Sequence, residues 1–110
     1  MKPFTLEDRE KLLKELFPIL KALLIDKGKE YSSGYEDTLN NFRDRAKWLN
    51  IAPEALLFMD MSKHLDAMKN WAVHGNKLTI EQFDARAIDS MVYLILLIGL
   101  YRSEKQKGGR

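Results

Sequence analysis

An aspartate and a histidine lie one helical turn apart within an apolar stretch of the chain. Residues 53–72 are expected to be helical, because at 100° per residue their apolar side chains fill one continuous arc: Leu56, Leu57, Phe58, Met61, Leu65, Ala67, Met68 and Trp71. Asp60 and His64 fall inside that arc at i and i+4, so their side chains meet on one face. Ionisable groups persist in apolar surroundings only when they are paired or used. The two residues therefore either make a structural contact with a neighbouring helix or line a ligand pocket.

A second polar group lies on the last predicted helix. Arg86, Asp89 and Tyr93 follow one another at i, i+3 and i+7 between apolar neighbours, which places them on one strip. We expect Arg86 to offset the charge of Asp89. Two interpretations stay open: a buried ion pair with a tyrosine hydroxyl, or a ligand site with Arg86 as an anion-binding fork and Tyr93 as a stacking surface or donor. Lys63, beside the histidine, could then supply a further cation to phosphate.

Magnesium is the metal that the spacing of carboxylates suggests. Glu81 and Asp84 lie at i and i+3, a spacing that can hold Mg²⁺ in helical bundles. They also fall in the first turn of a predicted helix, where acidic residues are stabilised by the helix dipole without any metal. The structural role is the first expectation for these two carboxylates, and a metal set of Glu81, Asp84 and Asp89 is the second.

A polar loop is predicted over residues 26–37, with cations, hydroxyls, glycines and tyrosines in close succession. Lys29 and the neighbouring backbone amides suit a phosphate, and Tyr31 could stack on a base, so the loop could cover a nucleotide. It matches neither a Walker loop nor a dinucleotide fingerprint, and its composition is also that of an ordinary surface loop.

Four helices and no strand are predicted. The first covers residues 6–25, with Thr5 as N-cap and a bend at Pro18. The second covers residues 38–49, the third ends near His74, and the fourth follows Thr79 and runs to about residue 102. The fold class expected is all-α: a four-helix bundle-like domain with a kinked first helix and a buried C-terminal helix.

The second half of the last helix has no polar face. Residues 91–101 are apolar all round apart from the hydroxyls of Tyr93 and Tyr101, and such a helix must be enclosed on every side. Three companion helices, one of them short, do not suffice. We therefore expect a homo-oligomer whose contact includes this segment, with Gly99 allowing another helix to approach closely.

Composition narrows the class of protein. The 110 residues, 45% hydrophobic and 31% charged, predict one globular domain over residues 1–102, followed by a disordered basic tail over residues 103–110. Basic and acidic residues are interleaved and sum to a net charge of +2, which makes direct nucleic-acid binding unfavoured. No cysteine is present, so thiol catalysis and thiolate zinc sites are excluded. No signal segment or membrane span is recognised, so the cytoplasm of a bacterial host cell is the expected location.

Short motifs in this order resemble those of a family of small phage and prophage proteins, the type-one nucleotide-modification-associated domain. The motifs are KGKEYS at 27–32, NF at 41–42, KH at 63–64 and RAIDSMVYL at 86–94. This group is distantly similar to the all-α nucleoside triphosphate pyrophosphohydrolases of the MazG and dimeric dUTPase kind. The resemblance implies a nucleotide-binding site at the matching positions: Tyr31, Asn41, Lys63, His64, Arg86, Asp89 and Tyr93.

One departure from the pyrophosphohydrolases concerns their metal centre. Those enzymes hold magnesium with an ExxE helix and a later ExxD, and here Glu81 and Asp84 could match only the second element. The first expectation is a phage-type nucleotide-binding protein of nucleotide modification or nucleotide-pool control. If it is an enzyme, Mg²⁺-dependent pyrophosphohydrolysis is the reaction implied. Two alternatives remain: a non-enzymatic oligomer that sequesters a nucleotide signal of host defence, and a structural or regulatory phage protein without a ligand.

Overall fold

The computed structural model describes residues 2–28 and 37–106, which form four helices and no strand. Helix α1 spans Leu6–Lys21 and continues into a π-helical turn, Ala22–Asp26. Helix α2 spans Asn40–Leu49, α3 spans Pro53–His74 and α4 spans Ile80–Gln106. The all-α prediction is confirmed.

The helix starts follow from capping chemistry, as the sequence predicts. The Thr5 hydroxyl accepts from the Asp8 backbone N–H at 3.1 Å, and the Asp8 carboxylate accepts from the Thr5 N–H at 3.0 Å. Thr79 and Gln82 make the same reciprocal pair at the start of α4, at 3.1 and 3.0 Å. Each pair satisfies two backbone donors that a helix start leaves without partners.

Two left-handed residues end the middle helices. Asn50 closes α2 with φ of 58° and Gly75 closes α3 with φ of 70°, and these are the residue types that adopt this conformation at least cost. Pro53 then begins α3 at its first position, where its missing N–H costs no hydrogen bond. The turn between α2 and α3 is therefore short, and the two helices pack against each other.

The core lies where α2, α3 and α4 meet. Leu39, Leu57 and Leu100 form a buried cluster, with Phe42, Tyr93, Leu96 and Leu97 packed around it. Leu56, Met61 and Ala46 are also buried. Phe58, Leu65 and Trp71, which the periodicity of α3 assigns to the same apolar arc, are exposed instead. The arc is wider than the contact surface that α2 and α4 offer to α3.

A single chain leaves much of the C-terminal helix exposed, as expected from the small number of companion helices, so its burial in a homo-oligomer stays a prediction. Of residues 91–101, only Leu100 is buried, and Leu94, Ile95, Ile98 and Tyr101 are exposed. Helix α1 buries none of its residues either, although its apolar face is as predicted. Within residues 2–28 and 37–106, the other helices leave these apolar faces largely exposed.

Two predicted boundaries differ from the structure. Helix α4 continues to Gln106, past the expected end near residue 102, so residues 103–106 of the predicted disordered tail are helical. The extra turn has a partner, because Arg43 of α2 donates to Glu104 at 3.0 Å. Residues 27 and 28 of the predicted loop are also helical. Helix α1 continues through Pro18, which has no N–H to donate, and the irregular turn begins four residues after it.

The chain is elongated, measuring 48 × 30 × 27 Å with a radius of gyration of 16.5 Å. A compact domain of this length has a radius of gyration of about 13 Å. Over residues 2–28 and 37–106, no helix has an apolar stretch of membrane-spanning length.

Candidate functional site

Polar side chains from α2, α3 and α4 converge where α3 packs against α4. We call this group the polar seam. It comprises one residue of α2, two of α3 and three of α4: Arg45, Asp60, His64, Arg86, Asp89 and Tyr93. Five of the six are the residues that the sequence singles out on α3 and α4, and the structure brings them together.

His64 is the centre of the seam, with a hydrogen-bond partner at one ring nitrogen and a carboxylate facing the other. Its Nδ1 lies 3.2 Å from an Nη1 of Arg86, and its Nε2 lies 3.8 Å from a carboxylate oxygen of Asp89. A guanidinium can only donate, so Nδ1 must be the accepting nitrogen and the proton sits on Nε2, facing the carboxylate. The expected pairing of Arg86 with Asp89 is replaced by one in which both residues hold the imidazole.

The imidazole is held in its neutral form. Burial is the main cause that lowers the pKa of His64, and the positive charges of Arg86 and Lys63 lower it further. Asp89 and Asp60 act in the opposite direction without reversing the net effect. A neutral ring is what the Arg86 hydrogen bond requires, because a protonated Nδ1 could not accept it.

The i, i+4 spacing would allow Asp60 to pair with His64, but in the structure Asp60 pairs with Arg45. The Arg45 Nη1 donates to an Asp60 carboxylate oxygen at 3.1 Å, joining α2 to α3. Arg45 is the seam residue that sequence reasoning missed. Arg45 lies next to buried Ala46 on a helix with a narrow apolar stripe. That position beside the stripe is the one feature of the sequence that could have indicated a contact with α3.

Tyr93 lies against His64 and close to both carboxylates of the seam. Its ring stacks on the His64 ring at a centroid distance of 6.0 Å and an interplanar angle of 29°. Burial raises the pKa of the Tyr93 hydroxyl, and the negative charges of Asp60 and Asp89 raise it further. The hydroxyl therefore stays protonated and available as a donor near both carboxylates.

The seam opens to solvent at its edges, and its own charges balance. Arg45 and Arg86 match Asp60 and Asp89, since His64 is neutral, and the exposed Lys63 beside His64 adds one positive charge. Arg45 and Asp89 have about half of their side-chain area exposed, while His64 is buried. A bound anion would thus meet guanidinium groups that a buried imidazole and carboxylates hold in position.

The remaining predicted ligand residues make no described contact with the seam or lie outside the described residues. Lys63 is exposed beside His64. Asn41 is exposed on α2, and no contact described for residues 2–28 and 37–106 joins it to the seam. Lys29 and Tyr31 lie outside the described residues, so the proposed loop over a nucleotide stays a prediction.

The predicted metal ligands do not form a site. Glu81 is exposed in the first turn of α4 and Asp84 is exposed just after that turn, whereas Asp89 faces His64. Within the described part of the chain, no three or more histidine, aspartate or glutamate side chains are grouped so that they could hold an ion. Over residues 2–28 and 37–106, the three predicted carboxylates are not grouped for magnesium, and a magnesium cofactor stays a prediction.

Two cavities lie elsewhere on the α3–α4 contact. An apolar groove of about 830 Å³ runs along the C-terminal half of α4 against the start of α3 and is lined mainly by Phe58, Leu94, Leu97, Ile98, Leu100 and Tyr101. A smaller cavity of about 250 Å³ lies beside Trp71 and Phe83. Neither of these two cavities is lined by a seam residue.

Comparisons of this chain with protein-family models, curated proteins and solved structures find no match. The resemblance to the phage family therefore stays a prediction that depends on the short motifs quoted above.

Proposed function

We propose that the polar seam binds the phosphate of a nucleotide-class ligand, and that the chain serves nucleotide modification or nucleotide-pool control as a homo-oligomeric, four-helix bundle-like protein of phage type. The observation that carries the proposal is the neutral His64 between the Arg86 guanidinium and the Tyr93 ring, with the Arg45–Asp60 pair near that tyrosine. Four of the six seam residues also belong to the motifs that resemble the phage family.

The two arginines supply the anion-binding groups. Each guanidinium has five N–H donors, and each has one hydrogen bond to a seam partner described here, to Asp60 or to His64. The fixed fork of an arginine matches the geometry of phosphate oxygens better than a lysine does. Because His64 is neutral, it orients Arg86 without cancelling or adding charge. A phosphate at the exposed edge would accept from the donors that remain.

Tyr93 supplies the second recognition element. Its half-buried ring already stacks on the His64 ring, so its orientation is fixed before a ligand arrives. A planar base near the seam could accept a hydrogen bond from the Tyr93 hydroxyl or contact the ring edge. Phosphate and base recognition together favour a nucleotide over a simple anion.

The geometry favours binding over turnover. General-base catalysis would need a histidine nitrogen free to accept a proton from water. His64 accepts from Arg86 at Nδ1 and carries its proton on Nε2, so neither nitrogen is free to accept a proton from water. The proposed activity is therefore ligand retention, which is the property that a nucleotide-sequestering protein needs.

Thermal denaturation and calorimetry with a nucleotide panel test the proposal. Nucleoside mono- and triphosphates, the free nucleosides and inorganic phosphate are each added to the full chain, with and without Mg²⁺. We expect a phosphorylated nucleoside to raise the Tm more than phosphate or nucleoside alone. Arg86→Met and Arg45→Met should each weaken binding about 10- to 100-fold, since each removes a charged hydrogen-bond donor.

Arg9→Met provides the matched control, because Arg9 is an exposed arginine on α1 outside the seam. It should leave the affinity unchanged. A chain whose Tm responds to no nucleotide, or whose affinity falls equally in Arg9→Met, would contradict the proposal. Release of pyrophosphate from a triphosphate would retain the binding site and refute the assignment to retention without turnover.

A further inference from the structure

The apolar groove between α3 and α4 is bordered by a strip of exposed side chains at helical spacing. Leu94, Ile98 and Tyr101 lie at i, i+4 and i+7 on α4 and are 49%, 52% and 65% exposed. Phe58 of α3 lies across the groove from them and is also exposed. A monomeric protein seldom leaves so many large apolar residues together in solvent.

The surface area of the chain is more than a compact monomer requires. Its accessible surface is 8777 Å², whereas a compact protein of 12.8 kDa exposes about 6,300 Å². A standard protein–protein interface buries about 800 Å² on each partner. About a third of the area in excess of a compact monomer would equal one partner's share of a standard interface. The groove and its bordering strip are the part of the surface best suited to such an interface.

Charge at the groove favours self-association over a strongly charged partner. The rim carries two cations, Arg102 and Lys105, and two anions, Glu54 and Glu104. A balanced rim has no field that would select an acidic or a basic partner, but it can complement itself across a twofold axis. A side chain placed at Gly99, one residue from Ile98, would meet nothing within 4 Å, so the neighbouring backbone is open to approach.

We infer that the groove is the site at which a second copy of this chain docks, with the Leu94–Ile98–Tyr101 strip of each copy covering that of the other about a twofold axis. This contact specifies the homo-oligomer of the proposed function, and it does not require the ligand to form. It covers the exposed Leu94, Ile98 and Tyr101 of the apolar segment 91–101.

Sedimentation equilibrium of the full chain across the micromolar range tests the contact. The native chain should form a dimer, and Ile98→Glu should raise the dimer Kd at least about 100-fold, because it places an unpaired charge in the interface. Leu13→Glu is the matched control, since Leu13 is 57% exposed on α1 and does not line the groove. Circular dichroism should show the same helix content in all three proteins.

A second variant keeps the test independent of the charge. The chain has no cysteine, so Ile98→Cys introduces a single thiol, and a short bis-maleimide should cross-link two copies through it. Leu13→Cys should not cross-link. A native chain that stays monomeric refutes the inference together with the homo-oligomer. A dimer that Ile98→Glu leaves intact, or that Leu13→Glu dissociates, retains the homo-oligomer but refutes this contact. Nucleotide binding, measured separately, shows whether the seam is affected.

Discussion

Arg43 connects α2 to the end of α4, and replacing it should loosen the helix that carries Arg45. Its Nε donates to Asp37 at 2.7 Å and its Nη1 donates to Glu104 at 3.0 Å. Burial alone would lower the pKa of Arg43, but the bond to Glu104 and the charge of Asp37 outweigh it and raise the pKa. The guanidinium is therefore held by its two carboxylates more strongly than water would hold it.

The magnitude follows from exposure. The side chains of Arg43, Glu104 and Asp37 are 22%, 28% and 47% exposed. A hydrogen bond to a charged group contributes about 1.5–3 kcal/mol when buried, and an exposed ion pair about 0–1 kcal/mol. Discounting for solvent, we assign about 1 kcal/mol to the Glu104 bond and about 0.5 kcal/mol to the Asp37 bond. Arg43→Met should thus lower the free energy of unfolding by about 1.5 kcal/mol, or the Tm by about 6 °C.

A double-mutant cycle with Arg43→Met and Glu104→Gln measures the first of these bonds. Urea unfolding at one fixed protein concentration should give a coupling energy of about 1 kcal/mol. Arg9→Met should change stability by less than about 0.5 kcal/mol. A coupling energy below about 0.3 kcal/mol would refute the claim that this bond holds α2 against α4. In that case, Arg43→Met should also leave the nucleotide affinity unchanged.

Three further predictions concern the seam, the core and a helix start. Because burial lowers the pKa of His64 below its unfolded value of about 6.5, the unfolded chain binds a proton that the folded chain does not. The free energy of unfolding should therefore fall as the pH drops below about 6.5 and level off below the folded pKa, and an equal slope in His64→Gln would contradict this. Leu57→Ala, at a fully buried site, should cost about 3 kcal/mol in urea unfolding, against less than about 1 kcal/mol for Leu13→Ala. Thr79→Ala should cost about 1 kcal/mol by the same measurement, because it removes the hydroxyl that caps α4; no change would assign the cap to backbone geometry alone.

Much of the fold could be predicted because it depends on local chemistry. The capping pair of Thr5 and Asp8, the left-handed stop at Gly75 and the start of α3 at Pro53 each involve residues within one turn of each other. The seam residues of α3 and α4 could also be chosen, since each lies at an apolar position where a charged group needs a partner.

The partners themselves could not be predicted, because they depend on how helices meet. Arg45 reaches Asp60 across fifteen positions of sequence, and no periodicity of α2 indicates that contact. Arg86 and Asp89 are neighbours on one helix, yet both turn to His64. The apolar faces of α1 and α4 were identified correctly as apolar, but a pattern does not tell which chain covers them.

The cluster of Leu39, Leu57 and Leu100 links two regions that otherwise look separate. Tyr93 of the seam packs against this cluster, and Leu97 and Leu100 also line the groove. If a second copy alters the spacing of α3 and α4 at the groove, the same leucines would shift Tyr93 and the arginines of the seam. Linkage then works in both directions. Such a chain would tighten or relax its hold on a metabolite according to how much of the protein the cell contains.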